Sequence, residues 1–345
     1  MFVREFLLLQ RIAGKEVIML ILTGKDIQDH YLMKDAISDL KEGLGSKKQG
    51  LIMSPHRTVI EIPNNQASVL YMPGAELSQK IASVKVVSIF PENPKHGMPT
   101  TQGVLLLTDA DTGEHLCMMN ASYLTRLRTG GLSGIATEKL ARKNAKTLGV
   151  IGTGAMAFEQ ILGVLEVRDI EKINLYNRTQ KKAEQFKEKL IAYGIKKIIT
   201  IVASADEIVE SADIICCATR SNDPVFNGNL LREGTHINGV GSYLPHMQEV
   251  DLITIQKASK IVADDLNGVE QEAGELIHAD RESDWNFSDI YGELSGLPDD
   301  NGLIRENDKE ITFFKSVGAA YFDLVAAIGI YSKLKQLGVG NEVKV

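Results

Sequence analysis

The chain has 345 residues, a length that allows two domains of ordinary size. With 44% hydrophobic and 24% charged residues, its composition is that of a globular protein rather than a disordered or membrane-spanning one. A net charge of −7, together with the lack of a basic block interleaved with aromatic residues, excludes a typical nucleic-acid or anionic-membrane surface.

The three cysteines have no spacing typical of a metal or redox site. Cys216 and Cys217 are adjacent in an apolar segment, IICCAT, which predicts buried thiols in a reducing compartment. We therefore expect a cytoplasmic protein without a metal site.

The first elements in chain order predict a mixed α+β unit. Residues 1–18 are interpreted as an extension from an upstream start codon, or alternatively as an ordered arm, because a natural domain start follows at Met19. An apolar strand there leads to Thr23, the predicted N-cap of one helix that runs through about Gly43. Four strands are then predicted, with turn residues between them, at 57–62, 67–72, 81–90 and 103–108. The last of these strands is predicted to form a hairpin with the EHLCMM segment.

The rest of the chain alternates strands and helices. After a helix predicted at 121–144, apolar strands are predicted at 147–151, 173–176, 198–204, 212–219, 235–241 and 260–265. Helical segments between several of them indicate βαβ units, and hence a doubly wound parallel sheet. Residues 280–308 predict a surface connection, and 313–337 predict an apolar segment, helical after Gly318, that packs back on the first domain.

Residues 147–157, TLGVIGTGAMA, place the pattern G-x-G-x-x-A between a strand and a helix. Gly152 allows the tight turn, Gly154 lets a pyrophosphate approach the backbone, and Ala157 lets the helix pack closely on its strand. The free N–H groups at the start of the helix favour phosphate binding. The motif predicts a dinucleotide-binding fold of the Rossmann type.

The second strand of this fold ends at Asn177, Arg178 and Thr179, where a dinucleotide fold places the residue that faces the adenosine ribose. NAD sites usually have Asp or Glu there, and this chain has neither. An amide, a guanidinium and a hydroxyl would instead accept a 2′-phosphate, with Arg178 as its counter-ion. We therefore favour NADP(H), with NAD(H) as the alternative; a solvated β-turn is the interpretation without a ligand.

Three cations in the first 130 residues are candidates for substrate binding. Lys85 lies inside an otherwise apolar strand, where a buried ammonium is costly unless it meets an anion. Arg128 precedes Thr129 and two glycines, which allow close approach. Singly, Arg57, Lys85 and Arg128 are most simply surface cations, but jointly they would suit a carboxylate, with Arg as a bidentate ligand and Lys as second contact or proton donor.

The segment GMPTTQGVLLLTDADTGEHLCMMNASYLTRLRTGGLSGIATEKLARKNAKTLGVIGTGAMA resembles the ornithine cyclodeaminase/mu-crystallin family. The resemblance runs from about Leu20 to the C-terminus and continues in NRTQKKAEQF, GVGSYLPHMQEVD and FKSVGAAYFD. The family also contains alanine dehydrogenases and ketimine reductases. It implies a homodimer in which a dinucleotide-binding (Rossmann) domain, residues 129–314, is inserted into a substrate-binding and dimerisation domain, residues 19–128 plus 315–345.

The resemblance also implies roles for individual residues. The substrate carboxylate would be held by Arg57, Lys85, Thr100 of GMPTT and Arg128 of LRTGG, with Lys85 and Arg128 as the catalytic pair. The cofactor would contact a further set, with Asn177, Arg178 and Thr179 at the ribose; this set is Thr129, Gly152, Thr153, Gly154, Ala155, Met156, Thr219, Val240, Ser316 and Val317.

One position departs from the family pattern. Ornithine cyclodeaminases have an Asp after the Gly-Gly that follows the fifth core strand, and the matching residue here is Tyr243. A phenol with a pKa of about 10 cannot replace a carboxylate as the base at neutral pH. Tyr243 stays a candidate substrate contact, and the departure favours net reduction over cyclodeamination.

Three functions follow from the resemblance. The favoured one is an NADPH-dependent reductase of a cyclic imine such as pyrroline-2-carboxylate, or a related amino-acid dehydrogenase. In it, a hydride moves between the nicotinamide and Cα of a small amino acid. The second is an ornithine cyclodeaminase that uses NAD catalytically, and the third is a non-catalytic NADPH-binding protein of the crystallin type.

Overall fold

The computed structural model describes residues 18–298 and 302–345, and these form two compact units. The first unit comprises residues 18–31, 52–124 and 323–345, and the second comprises the described residues of 32–51 and 125–322. The boundaries predicted from the sequence, 128/129 and 314/315, lie four and eight residues from the ends of these units, and residues 32–51, which were predicted in the first domain, belong to the second unit. The predicted domains stay a prediction. The proposed extension falls outside the described residues except for Ile18.

The described helices are α1 (Gly24–His30), α2 (Met33–Lys48), α3 (Ala121–Leu140), α4 (Ala155–Val167), α5 (Gln180–Tyr193), α6 (Ala205–Ser211), α7 (Leu252–Lys257), α8 (Leu266–Glu272), α9 (Gly274–Glu282) and α10 (Ala320–Gln336). The described strands are β1 (Ile18–Leu22), β2 (Ile52–Met53), β3 (Thr58–Ile62), β4 (Ala67–Glu76), β5 (Ile81–Ile89), β6 (Thr101–Asp109), β7 (His115–Asn120), β8 (Thr147–Ile151), β9 (Lys172–Tyr176), β10 (Ile198–Ile201), β11 (Ile214–Cys217), β12 (His236–Gly239), β13 (Ala258–Ala263), β14 (Gly292–Glu293), β15 (Ile311–Lys315) and β16 (Asn341–Lys344). Within the described part of the chain, no helix is long and apolar enough to cross a membrane.

The first unit contains a mixed sheet with the order β16-β1-β7-β6-β5-β4-β2, and β3 pairs with β4. Its long central strands are antiparallel neighbours, as the turn signals predicted, whereas β1 and β7 run parallel. The C-terminal strand β16, which the sequence analysis missed, pairs with β1. The first unit is therefore the mixed α+β structure that was expected.

The prediction of one helix from Thr23 to Gly43 was wrong. Thr23 does cap a helix, and its hydroxyl accepts from the N–H of Asp26, but α1 ends before Tyr31, which is extended. Leu32 is also extended, and its N–H donates to the Asp35 carboxylate at 2.8 Å, which starts α2. A continuous apolar spacing concealed this break because the second cap uses a carboxylate inside the helix rather than a capping side chain before it.

The second unit contains a parallel sheet with the order β10-β9-β8-β11-β12-β15-β13-β14. From β8 the chain winds outward first to β9 and β10 and then in the opposite direction through β11 and β12. Successive residues of β11 enter different apolar clusters, Ile214 and Cys216 in one and Ile215 and Cys217 in the other. The sheet is thus covered on both faces, which confirms the doubly wound Rossmann-type fold and the buried thiols.

Two strands of this sheet were not foreseen. β15 lies between β12 and β13, although residues 313–315 were interpreted as the start of the apolar C-terminal segment. β14 lies within the predicted surface connection and pairs with β13. A fully buried parallel strand such as β15 has no polar alternation, so its pattern resembles a buried helix until its neighbours are known.

Candidate functional site

The glycine-rich turn follows β8 and starts α4. Gly152 has φ +91°, and an added Cβ would lie 2.8 Å from the Ala218 carbonyl oxygen, so only glycine fits there. Around Gly154, by contrast, an added Cβ would meet no heavy atom within 4 Å, and the residue is exposed at the N-cap of α4. The turn thus leaves open space beside the N-terminus of α4, which fits the pyrophosphate of a dinucleotide.

The residues after β9 contact this turn. The Asn177 side-chain oxygen accepts from the N–H of Thr153 at 3.2 Å, and its amide nitrogen donates to the Thr179 carbonyl at 3.1 Å. The side chains of Arg178 and Thr179 are exposed. Asn177 therefore ties the two loops together, and Arg178 and Thr179 remain accessible to a ligand at the ribose end.

Other predicted cofactor residues follow the carboxyl ends of β11, β12 and β15, which are adjacent in the sheet. Thr219 donates both its N–H and its hydroxyl to Glu249. Ser316 donates its hydroxyl to the buried Asp264 at 2.7 Å, and the Val317 N–H donates to the same carboxylate at 3.3 Å. Burial raises the pKa of Asp264, and the hydrogen bonds it accepts oppose that shift.

Arg128 lies on α3 and is 5% exposed. Gly318, with φ +82°, lies against its guanidinium: an added Cβ would be 2.8 Å from Nη2. A side chain at 318 would therefore displace the arginine. Thr129 is also buried, and its hydroxyl donates to the Thr125 carbonyl of its own helix at 2.7 Å.

Lys85 lies in the middle of β5, opposite Met72 and Leu105 on the neighbouring strands, and is 3% exposed. Its ammonium donates to the Asp323 carboxylate at 2.6 Å. Asp323 is 1% exposed and lies in the first turn of α10, where the helix dipole favours a negative charge. The sequence analysis selected Lys85 and missed its anionic partner.

Thr100 and Arg57 lie elsewhere in the first unit. The Thr100 carbonyl accepts from the N–H of Phe90, which immediately follows β5. Phe90 is five residues beyond Lys85, or about 17 Å of extended chain. Arg57 is half-buried immediately before β3. Tyr243 lies in the loop after β12, half-buried against the apolar core of the second unit.

Glu249, Asp264, Asp323 and Lys315 were missed by the sequence analysis. Each is a charged residue in an otherwise apolar or turn segment, and each is 0% or 1% exposed in the structure. That pattern was the available signal, because buried charges require partners. The same signal had been used for Lys85 alone.

Comparisons with known proteins agree with this architecture over almost the whole chain. The sequence model of the ornithine cyclodeaminase/mu-crystallin family matches residues 17–338. A Delta(1)-pyrroline-2-carboxylate reductase from Bacillus cereus is 39% identical over 326 residues, which are 94% of this chain and 100% of the relative.

Two solved structures are also similar. The Thermococcus litoralis Delta(1)-pyrroline-2-carboxylate reductase, in complex with NADH and L-proline, has a TM-score of 0.90 and 38% identity, covering 94% of this chain and 100% of that one. An archaeal alanine dehydrogenase dimer with bound NAD has a TM-score of 0.86 and 31% identity, covering 95% and 99%. From the family match and these full-length similarities, we conclude that the chain belongs to the ornithine cyclodeaminase/mu-crystallin family.

Proposed function

We propose that this protein reduces a small cyclic imino acid of the pyrroline-2-carboxylate type to the corresponding amino acid, using a nicotinamide dinucleotide. The observation that carries the proposal is the similarity to Delta(1)-pyrroline-2-carboxylate reductases along the full length of those relatives. Tyr243, in place of the acid of ornithine cyclodeaminases, supports reduction further, because a neutral phenol cannot serve as that base.

The cofactor would be held by the second unit. The open turn at Gly152, Thr153, Gly154, Ala155 and Met156, with Thr129, would take the pyrophosphate, and Thr219, Val240, Ser316 and Val317 would line the nicotinamide. When bound, the nicotinamide would supply the hydride that adds to the carbon of the C=N bond. The protein's contribution is to orient the imine and to neutralise its carboxylate.

We assign that contribution first to Arg128 and Lys85. The planar guanidinium of Arg128 suits a bidentate carboxylate contact, and its burial makes an anionic partner valuable. Lys85 would offer a positive charge to the same type of group, or a proton to the imine nitrogen. Its contact with Asp323 favours the ammonium form, because a buried cation next to an anion is stabilised.

Arg57 and Thr100 stay proposals that rest on the family resemblance.

Lys85→Met, which keeps length and removes charge, should lower kcat/KM for the imine by about 100-fold, because hydrogen bonds to charged groups contribute about 1.5–3 kcal/mol. Lys80→Met, changed at an exposed lysine paired with Asp111, is the matched control. Equal activity of Lys85→Met and the control would remove Lys85 from the mechanism.

NADP(H) is the cofactor that we propose, on the evidence of the residues after β9. The exposed guanidinium of Arg178 follows a strand end that has no acid at positions 177–179. The similar structures described above contain NADH or NAD, so the preference for the 2′-phosphate depends on Arg178 alone.

We also propose that the chain forms a homodimer, and that it functions in a reducing compartment such as the cytoplasm. The archaeal alanine dehydrogenase relative is a dimer. In the first unit, apolar side chains on the sheet are exposed, including Val59 (44%), Ile60 (49%) and Val104 (47%).

Sedimentation should give twice the chain mass. The double variant Ile60→Glu, Val104→Glu should sediment as a monomer, and Ile198→Glu, on an edge strand of the second unit, should not.

The function is tested by mixing the purified protein with Delta(1)-pyrroline-2-carboxylate and either NADPH or NADH while following absorbance at the nicotinamide band. Loss of absorbance with formation of proline supports the proposal. Ornithine with NAD is run in parallel and assayed for ammonia. Ammonia and proline at constant absorbance would instead establish a cyclodeaminase, and tight NADPH binding without either reaction would leave a binding protein.

A further inference from the structure

A cluster of buried polar and charged side chains lies at the carboxyl edge of the parallel sheet. Glu249, Ser242 and Lys315 are 0% exposed, and Glu275 is 2% exposed. Lys315 ends β15, Ser242 and Glu249 lie in the loop after β12, and Glu275 lies on α9. Nothing in the mechanism proposed above uses these four side chains.

Glu249 connects the loops that follow two adjacent strands. Its Oε1 accepts from the N–H of Thr219 at 2.5 Å and from the Thr219 hydroxyl at 2.8 Å, in the loop after β11. Its Oε2 accepts from the N–H groups of Gly241 at 2.7 Å and Ser242 at 3.3 Å, in the loop after β12. One carboxylate therefore holds four donors and fixes the distance between the two loops.

Gly241 shows how closely these loops approach. An added Cβ at this position would lie 2.0 Å from the Thr219 carbonyl oxygen and 2.6 Å from Glu249 Oε1. No side chain fits between the loops. Val240, immediately before Gly241, is thereby fixed relative to Thr219.

Lys315 supports the second loop from the other side. Its ammonium donates to the Ser242 carbonyl at 2.7 Å, to the Ser242 hydroxyl at 2.6 Å and to Glu275 at 2.9 Å. The Ser242 hydroxyl in turn donates to Glu275 at 2.8 Å. Burial raises the pKa of Glu249 and Glu275 adds to that shift, whereas Lys315 opposes it. Because the four contacts of Glu249 are all from donors, its ionised form fits the cluster.

Stability does not account for this arrangement. Two carboxylates and one ammonium without solvent are costly, and an apolar set of similar volume is often equally or more stable. The four groups that donate to Glu249 belong to Thr219 and to the two residues that follow Val240. We placed Thr219 and Val240 at the nicotinamide.

We propose that Glu249 is a positioning residue for hydride transfer: it holds the loops after β11 and β12 at the separation that the nicotinamide ring requires. Glu275 and Lys315 keep the second loop in register with the end of β15. This inference rests on the proposed function, because it assigns the two loops to the nicotinamide end of the site.

The test uses Glu249→Gln, which keeps the volume but directs an NH₂ group at one pair of donors. We expect kcat for imine reduction to fall by about 100-fold, since a displacement of about 1 Å in the reacting atoms has that effect. KM for the imine and Kd for the nucleotide should change by less than about threefold. The primary isotope effect measured with cofactor deuterated at the transferred position should rise, because hydride transfer becomes slower than product release.

Glu310→Gln is the matched control. Glu310 is a buried carboxylate that accepts from Lys260 at the opposite end of β15, immediately before that strand begins. This variant should lose stability and keep the kcat and isotope effect of the wild type. The inference is overturned if Glu249→Gln retains both values, or if Glu310→Gln loses kcat and raises the isotope effect to the same extent.

Two further measurements keep the test decisive. If Glu249→Gln does not fold, Glu249→Asp keeps the charge but shortens the side chain by one methylene, so that one carboxylate no longer reaches the donors of both loops at these distances. A smaller loss of kcat with a raised isotope effect supports the inference, and wild-type values overturn it. If the wild type reduces no imine, the proposed function fails. The inference then depends on the fluorescence lifetime of bound NADH, which should shorten in Glu249→Gln and not in Glu310→Gln; equal lifetimes in all three proteins overturn it.

Discussion

At each edge of the parallel sheet, a carboxylate accepts hydrogen bonds from backbone N–H groups, but the two carboxylates differ in burial. At the amino edge, Asp213 precedes β11 and accepts from Arg142 at 2.6 Å and from the N–H groups of Lys146 and Thr147. Its side chain is 15% exposed and that of Arg142 is 19% exposed. At the carboxyl edge, Glu249 accepts from backbone N–H groups in the loops after both β11 and β12, and it is 0% exposed.

This difference indicates what each edge is for. A carboxylate that is paired with an arginine and reached by water connects strands at modest cost, which suits a purely structural role. A carboxylate held without water by backbone donors costs more and restricts its loops more strictly. In doubly wound sheets the ligand binds at the carboxyl edge, so the stricter arrangement lies where positional accuracy affects chemistry.

Among substitutions that distinguish the two edges, we expect one at Arg128 to have the largest effect on catalysis. Arg128→Ala is expected to lower kcat/KM for the imine by about 100- to 1,000-fold, because charged hydrogen bonds contribute about 1.5–3 kcal/mol each. The Kd of the nucleotide should be unchanged. Arg232→Ala, which removes a half-exposed arginine 3.5 Å from Asp213 at the amino edge, is the control and should leave kcat/KM unaltered. Substrate affinity that survives in Arg128→Ala would contradict the carboxylate role.

Gly154→Val should have the next largest effect. Since no heavy atom lies within 4 Å of the added Cβ, the folded protein accommodates the side chain, but the pyrophosphate would not fit beside it. We expect nucleotide affinity, measured by calorimetry, to fall by about 100-fold, the upper end of what a steric clash costs. Gly296→Val adds the same side chain in equally open space away from the turn and should bind nucleotide normally. Wild-type affinity in Gly154→Val would mean that the pyrophosphate binds elsewhere.

Arg178→Ala examines the ribose end of the carboxyl edge. Loss of a charged hydrogen bond to a 2′-phosphate should weaken NADPH binding by about 1–3 kcal/mol and leave NADH binding nearly unchanged. Lys182→Ala, at an exposed lysine on α5, controls for general loss of positive charge. Equal weakening of the two cofactors by Arg178→Ala would rule out the proposed phosphate contact.

The smallest effect concerns stability at the amino edge. His236 is the first residue of β12 and is 0% exposed. Its burial and the nearby charge of Arg305 lower its pKa to about 3. Its ordinary pKa is about 6.5, so the neutral form stabilises the fold above that pH and this contribution is lost as the pH falls towards 3. At pH 5.5 the loss is on the order of 1 kcal/mol.

Urea unfolding at pH 7.5 and pH 5.5 measures this contribution. His236→Gln should be less stable than the wild type at pH 7.5, because its contacts with Thr312 and Asn238 change, and should lose less stability on acidification. Identical pH dependence of the two proteins would show that His236 does not control acid stability.

The glycine pattern at 147–157 was enough to predict the dinucleotide fold, and the family resemblance and the fold class are confirmed. Lys85 was selected because a cation in an apolar segment requires an explanation, and Arg128 because it precedes Thr129 and two glycines; both are buried. The roles assigned to them stay predictions. β15 was not predicted as a strand, because a strand that is buried on both faces has no alternating pattern.

The sequence by itself determined where the chain turns, which segments are apolar and where a phosphate can approach the backbone, since these properties depend on residues within a few positions of one another. Only the tertiary structure decided that Asp323 lies 2.6 Å from Lys85, 238 positions away, and that Glu249 joins Thr219 to Gly241. The partner of a buried charge is chosen by packing of distant segments, and no local pattern records that choice.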